Sequence, residues 1–299
     1  MKTSVRRIPY VNLQNQWLEE RNELLPIIDK VLESAQFVGG EELDKFEENI
    51  ASLCGTKYAC GLNSGTDALM LALSLSGIGK GDEVITPPNS FIASTAAIVH
   101  IGAIPVFVDV LPDQNIDPYK IEASVTKKTK AIMPVHLTGR MCDMDPIMDI
   151  AKKYNLVVIE DAAQSVGSKY KGKLSGSIGD VGCFSTHPLK NLNACGDGGF
   201  LTTNDEVIYN KSRSYRNHGM TKRNIVDHFG SVTRMDNLQA SILNYRLDKL
   251  DEVTQKRRIN AKSYIDGINN QDLFIPQEKN SEYNVYHTFV IQTKYRDEL

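Results

Sequence analysis

Two kinds of hydrophobic pattern alternate along this chain. Short blocks of branched and apolar residues, Tyr58–Leu62, Glu83–Thr86, Pro105–Val110, Ala131–Val135 and a run opening at Val157, read as strands. Between them, apolar positions recur at helical spacing. Gln14–Phe37 carries Trp17, Leu24, Leu25, Ile28, Val31 and Leu32 in this way, with Gly39 and Gly40 as its stop. Further helices are predicted over Glu41–Leu53, Ala68–Ser76, Ala93–His100 and Met144–Tyr154, and from about Asp205. Branched apolar strands alternating with helices predict an α/β fold, a mainly parallel sheet covered by helices.

Toward the C-terminus the pattern changes. Asn237–Val253 reads as one long amphipathic helix, continuing through Lys256, Arg257 and Arg258, and leads toward a strand over Tyr286–Gln292. This divides the chain into a large domain over residues 1–245 and the start of a small C-terminal α/β domain over residues 246–299. A lone strand cannot bury both faces, so the small domain reads as incomplete.

Candidate chemistry gathers where strands end. Val157-Val158-Ile159 delivers Glu160 and Asp161 to the carboxyl end of a buried strand, which is where open α/β sheets place their sites. Downstream, Lys190 lies among small residues and is followed by Gly196-Asp197-Gly198-Gly199. Alone, the lysine is most simply a solvated surface residue and Asp161 a helix cap. Together they suit pyridoxal phosphate, which needs a lysine to form a Schiff base and an acid to hold its ring nitrogen protonated. The turn Asn63-Ser64-Gly65-Thr66-Asp67 joins a strand to a helix start, where free N–H groups favour an anion such as phosphate, although turns of this composition are common. Phe91, just past a strand end, is either core or a platform for a flat ring. Gly77-Ile78-Gly79-Lys80-Gly81 lacks the hydroxyl of a P-loop and reads as a turn.

Composition removes other classes. A net charge of −3 without long runs of either sign favours neither nucleic acid nor an anionic membrane. No apolar window is long enough to span a bilayer. Met1–Arg7 is basic but is followed by no apolar core of a signal peptide. The last four residues imitate an ER-retention tail, an address without meaning in the absence of a signal peptide. The five cysteines are scattered and form no metal-like cluster, as expected of reduced thiols in a cytoplasmic protein.

The order of these motifs carries a resemblance. Asn63-Ser64-Gly65-Thr66-Asp67-Ala68-Leu69, Glu160-Asp161-Ala162-Ala163-Gln164-Ser165, Phe184-Ser185-Thr186-His187-Pro188-Leu189-Lys190-Asn191 and Arg234-Met235-Asp236-Asn237-Leu238-Gln239-Ala240 together resemble the DegT/DnrJ/EryC1/StrS family. These are fold-type I, pyridoxal-phosphate-dependent aminotransferases of nucleotide sugars. The resemblance implies that Lys190 is the Schiff-base lysine and proton shuttle. It also implies that Asp161 holds the ring nitrogen and that Gln164 lies near the 3′-oxygen. Gly65, Thr66 and Ser185 would hold the phosphate, and Phe91 would stack on the ring. His136 and His218 would structure loops or lie near substrate, and His187 is given no chemistry.

The implied reaction moves an amino group, usually from glutamate, to a keto group of a nucleotide-linked deoxysugar, in a homodimer whose sites lie at the subunit interface. Two departures qualify the match. Where the family often has an asparagine reaching a neighbour's phosphate, this chain has Val232, and family members usually continue past the segment matching Tyr286–Leu299. Two rival readings are a sugar dehydratase of the same fold, in which the lysine is replaced by histidine, and a non-catalytic, cofactor-binding regulatory homologue.

Overall fold

A computed structural model describes residues 8–298, so Met1–Arg7 and Leu299, on which the leader and tail readings rest, lie outside the described residues. The central sheet has seven strands: β1 (Tyr58–Leu62), β2 (Glu83–Thr86), β3 (Ile104–Phe107), β4 (Thr129–Ile132), β5 (Val157–Asp161), β6 (Val181–Ser185) and β7 (Gly199–Thr203). Their order is β1-β7-β6-β5-β4-β2-β3. β7 runs antiparallel to both of its neighbours, and the pairs among β6, β5, β4, β2 and β3 are parallel. The expected mainly parallel, helix-covered α/β sheet is therefore present.

Helices cover both faces because strand residues alternate in direction. Ile159, Cys183 and Leu201 point to one core with Leu69, Ala72 and Leu73 of α3 (Gly65–Leu75) and Ala97 and Ile98 of α4 (Ile92–His100). Their sequence neighbours point the other way. Phe184 and Phe200 stack with ring centroids 4.5 Å apart and meet Phe46 of α2 (Glu41–Cys54), while Val158 packs with Ile147 of α5 (Met144–Tyr154). An outer helix, α1 (Leu13–Ser34), buries Leu24 and Val31, and α6 (Glu206–Tyr215) is capped by the Asp205 carboxylate.

Several boundaries differ from expectation. α1 ends at Ser34, short of Phe37, because Ala35 adopts the left-handed conformation at φ 53° and its N–H returns to the Leu32 carbonyl. α3 starts one turn early, at Gly65 rather than Ala68, since Ser64 caps it by accepting from the Asp67 N–H at 3.1 Å. The predicted single helix over Asn237–Val253 is two, α7 (Asn237–Leu247) and α8 (Leu250–Gly267), broken at Asp248-Lys249. The predicted strand over Tyr286–Gln292 does not form. A strand needs a continuous partner, and within the described residues only Gln292 pairs, with Phe274. Tyr286 stands in left-handed backbone at φ 48°. The strand that this region does supply is Glu282–Tyr283, joined to the small Lys169–Tyr170 and Lys173–Leu174 hairpin.

One buried ion pair ties β1 to the helices that flank it. Arg216, just past α6, reaches both the Glu47 carboxylate of α2 and the Gly61 carbonyl, and Glu47 also accepts from the Gly61 N–H at 2.7 Å. Removing one partner of a buried pair strands the other's charge in low dielectric. Arg216→Ala is therefore expected to lower stability by about 3 kcal/mol or more, read as a shifted urea midpoint. Lys262→Ala, which removes a solvent-exposed pair with Asp266, should change it by less than about 1 kcal/mol.

Candidate active site

The carboxyl ends of the strands enclose one large cavity, of about 1140 Å³. All seven residues read from the sequence as cofactor-site candidates line it: Gly65, Thr66, Phe91, Asp161, Gln164, Ser185 and Lys190. The cavity forms where the α3 start, the loop before α4, the ends of β5 and β6, and the loop that carries Lys190 converge.

The alternation of β5 determines which of its two terminal carboxylates enters. Glu160, fully buried, points away from the cavity and is held by four donors. These are His136 Nε2 at 2.9 Å and the N–H groups of Gly176, Ile178 and Gly179 at 2.9, 2.8 and 2.6 Å. Burial pushes its pKa up, but His136 and these N–H groups outweigh that and leave it below the ordinary carboxylate value. His136 accepts from the Cys142 N–H through Nδ1, so Nε2 carries the proton donated to Glu160. Of the two roles open to His136, the structure supports loop structuring, since it is fully buried and does not line the cavity.

Asp161 turns the opposite way, into the cavity wall. Its Oδ2 accepts from the Ser94 hydroxyl at 2.6 Å and its Oδ1 from the Ala163 N–H at 3.2 Å. Burial raises its pKa above the ordinary value, while these two bonds and then the charge of Lys190 pull it back. Lys190 is half-buried and makes no side-chain hydrogen bond or ion pair among the described residues. Burial lowers its pKa, against the pull of Asp161, and so enlarges the neutral, nucleophilic fraction of its amine.

The α3 start presses directly on β6. A Cβ on Gly65 would lie 2.8 Å from Ser185 Cβ and 3.2 Å from the Phe184 carbonyl oxygen, so only glycine fits. On the other side, a Cβ on Gly199 would come within 2.5 Å of Gly65 N. These contacts set the first N–H groups of an eleven-residue helix, at Gly65 and Thr66, beside the Ser185 hydroxyl. Neither N–H has a chain partner among the described residues. That is an anion cradle with the helix dipole behind it. Gln164 is oriented by the Thr138 N–H, which donates to its Oε1 at 2.8 Å. The side-chain NH₂ is then the donor left for the cavity. Phe91 is 70% exposed, so it is not core and presents its ring to the cavity mouth.

Other lining residues carry no signal in the sequence pattern. Ser90, just before α4, and Ser94, in its first turn, are two of them. Arg257 of α8 donates to the carbonyls of Tyr286 and His287 at 3.2 and 3.0 Å, fixing that segment against the cavity. His287 is pushed down to about 3 by burial, then by the charges of Lys190 and Arg257, and it stays neutral. His187 lies at the exposed rim, and its Nδ1 accepts from the Leu189 N–H. His218 is outside the lining, with left-handed backbone at φ 61°. Val232 is half-exposed and also outside the lining. Among the described residues no group of histidine, cysteine, aspartate and glutamate is arranged to hold a metal, and no helix is long and apolar enough to cross a membrane.

Comparison with known proteins places this geometry in a family. The chain is 42% identical over 296 residues to a pleiotropic regulatory protein of Geobacillus stearothermophilus, covering 98% of this chain and 80% of the relative. It is 45% identical over 293 residues to the dTDP-3-amino-3,6-dideoxy-α-D-galactopyranose transaminase of Aneurinibacillus thermoaerophilus, covering 97% and 80%. The crystal structure of NtdA from Bacillus subtilis, with bound cofactor PMP, superposes with a TM-score of 0.92 at 34% identity, covering 99% of this chain and 69% of that one. The signature of the DegT/DnrJ/EryC1/StrS aminotransferase family matches residues 19–299, and the chain belongs to that family.

Proposed function

We propose that this protein transfers an amino group from an amino acid, glutamate in the first instance, to a keto group of a nucleotide-linked deoxysugar. The observation that carries this reading is the pairing, in one cavity, of an unpartnered half-buried lysine with a buried carboxylate at the end of β5. The cofactor is pyridoxal 5′-phosphate, and the residues present fit it. Among the described residues, a cradle with no room for a Cβ at Gly65 offers two free N–H groups for the phosphate, Asp161 keeps lone pairs free on both oxygens for a ring N–H, and Lys190 has no competing partner. When bound, the group supplies an electron sink that lets nitrogen pass between an amine and a ketone.

The chain's own residues do the rest. The N–H groups of Gly65 and Thr66, with the hydroxyls of Thr66 and Ser185, would hold the phosphate. The amide N–H of Gln164 would be the donor to the 3′-oxygen, and Phe91 would cover the ring. Asp161 holds the proton on the ring nitrogen, and Lys190 Nζ moves protons at the donor's α-carbon and at the sugar's keto carbon. Its depressed pKa leaves more of the amine free to act as a base near neutrality. Lys190 also speaks against the dehydratase reading, which requires its replacement.

A homodimer is supported by α1, whose outward residues Leu18, Leu25 and Leu32 recur every seven positions and are each about half exposed. Its inward residues Leu24 and Val31 lie on the adjacent stripe. A cytoplasmic location is supported by five free cysteines, four of them buried. The second reading, a cofactor-binding regulator without turnover, is favoured by the name of the Geobacillus relative and by Val232.

Three measurements test these assignments. Purified protein with pyridoxal phosphate should be yellow and bleach on adding glutamate, whereas Lys190→Ala should not respond. Colour that no amino acid bleaches would favour the regulator. Borohydride reduction with pyridoxal phosphate should attach the label at Lys190 by peptide mass. The label should persist at pH values where surface lysines, fully protonated, no longer react; labelling spread over many lysines would sink the assignment. Sedimentation should give twice the 33.3 kDa chain mass, with Leu25→Glu/Leu32→Glu shifting it to monomer, and a monomeric wild type would overturn the dimer.

A further inference from the structure

The hydroxyls at the start of α4 form a chain that ends on the carboxylate of Asp161. Ser94 is 1% exposed, in a helix whose other buried residues are Ala97 and Ile98. A hydroxyl buried there must find a partner. Ser94 Oγ lies 2.6 Å from Asp161 Oδ2, and Ser90 Oγ lies 2.7 Å from Ser94 Oγ. An ionised carboxylate only accepts, and Ser94 has one proton to give. That proton goes to Asp161, so Ser94 accepts from Ser90, which itself lines the cavity. The relay runs inward, with each hydroxyl polarising the next.

We propose that Ser94, backed by Ser90, is a positioning residue of the reaction: it keeps Asp161 ionised and aimed at the ring nitrogen of bound pyridoxal phosphate, so that the ring carries its proton. The inference rests on the cofactor reading above and deepens it. Asp161 needs such help because of its position. Burial favours its neutral form, and a neutral carboxylic acid at that place is a poor acceptor for a ring N–H. The Ala163 N–H, at 3.2 Å, supplies the other oxygen with a longer bond. The Ser94 bond is the shorter of the two, is charge-assisted, and turns one oxygen into the helix, leaving the second lone pair of each oxygen for the cavity.

The test uses holoprotein loaded with pyridoxal phosphate isotopically labelled at the ring nitrogen. Wild type and Ser94→Thr, which retains the hydroxyl, should show the nitrogen NMR shift of a pyridinium. Ser94→Ala should move toward free pyridine, in the direction taken by Asp161→Asn. Its kcat should fall roughly ten- to a hundredfold, the range for a lost hydrogen bond to a charged group, with the donor KM changed far less. Ser90→Ala, at a half-buried site, should move the shift the same way by less. A wild-type ring shift and near-normal kcat in Ser94→Ala would overturn the proposal and reduce Ser94 to a space-filling residue. Should Ser94→Ala fail to fold, Ser94→Cys decides: its weaker donor should give an intermediate shift, and an unchanged shift would refute the relay. If Asp161→Asn also leaves the shift unchanged, it is the contact of Asp161 with the ring that fails, and the relay falls with it.

Discussion

Strand β5 ends in two adjacent carboxylates, and pleating sends one to each side of the sheet. The side that receives Glu160 is built to hold it, with a histidine and three backbone N–H groups converging on its oxygens. That fixed charge stops the strand end from rotating about its own axis. Asp161, one residue on, therefore has a defined direction before any small molecule arrives. The cavity depends on this: the carboxylate is aimed by the far face of the sheet as much as by its own neighbours.

Lys190 and Asp161 are both displaced from their ordinary ionisation, in opposite senses, and for the same reason. Burial disfavours charge on each. Neither gains a full ion-pair partner in compensation, which makes the pair a local cost to the folded chain. Strain of this kind persists only where the surroundings over-determine the geometry. Here the surroundings are two packed cores, the Glu160 network and the tight seam among Gly65, Ser185 and Gly199. Phe91 and the outward leucines of α1 show the opposite arrangement, apolar surface left exposed instead of charge left buried.

The first five strands of the central sheet and the helices between them were legible in the sequence, because branched apolar runs and helical spacing agreed there; β6 and β7, which carry glycine, serine and threonine, gave no such run and were not read as strands. All seven residues read as site candidates line one cavity: Gly65, Thr66, Phe91, Asp161 and Ser185 sit at or beside a strand end or helix start, and Gln164 and Lys190 in the loops that follow β5 and β6. The failures have physical causes. Asp248-Lys249 breaks a helix without glycine or proline, so no local signal marks it. Tyr286–Gln292 has the composition of a strand, but pairing is a property of neighbours and not of composition. Ser94 and His287 carry no local motif, and only the fold reveals what faces them.

The antiparallel strand β7 has a consequence for how the chain reaches this state. β1 lies at the sheet edge and pairs along its length with β7, Tyr58 opposite Thr203 and Leu62 opposite Gly199, while Leu62 alone also bridges to Arg234. During synthesis β1 and the start of α3 therefore emerge long before the segment that pins them. The contact of Gly199 with Ser64 and Gly65 closes the same seam. Such long-range pairing is slow to form and leaves a strand edge open meanwhile. The anion cradle is thus a late product of folding, complete only when a segment translated far downstream has threaded between β1 and β6. A nascent chain can hold the β2–β5 layer of this enzyme well before it can hold a phosphate.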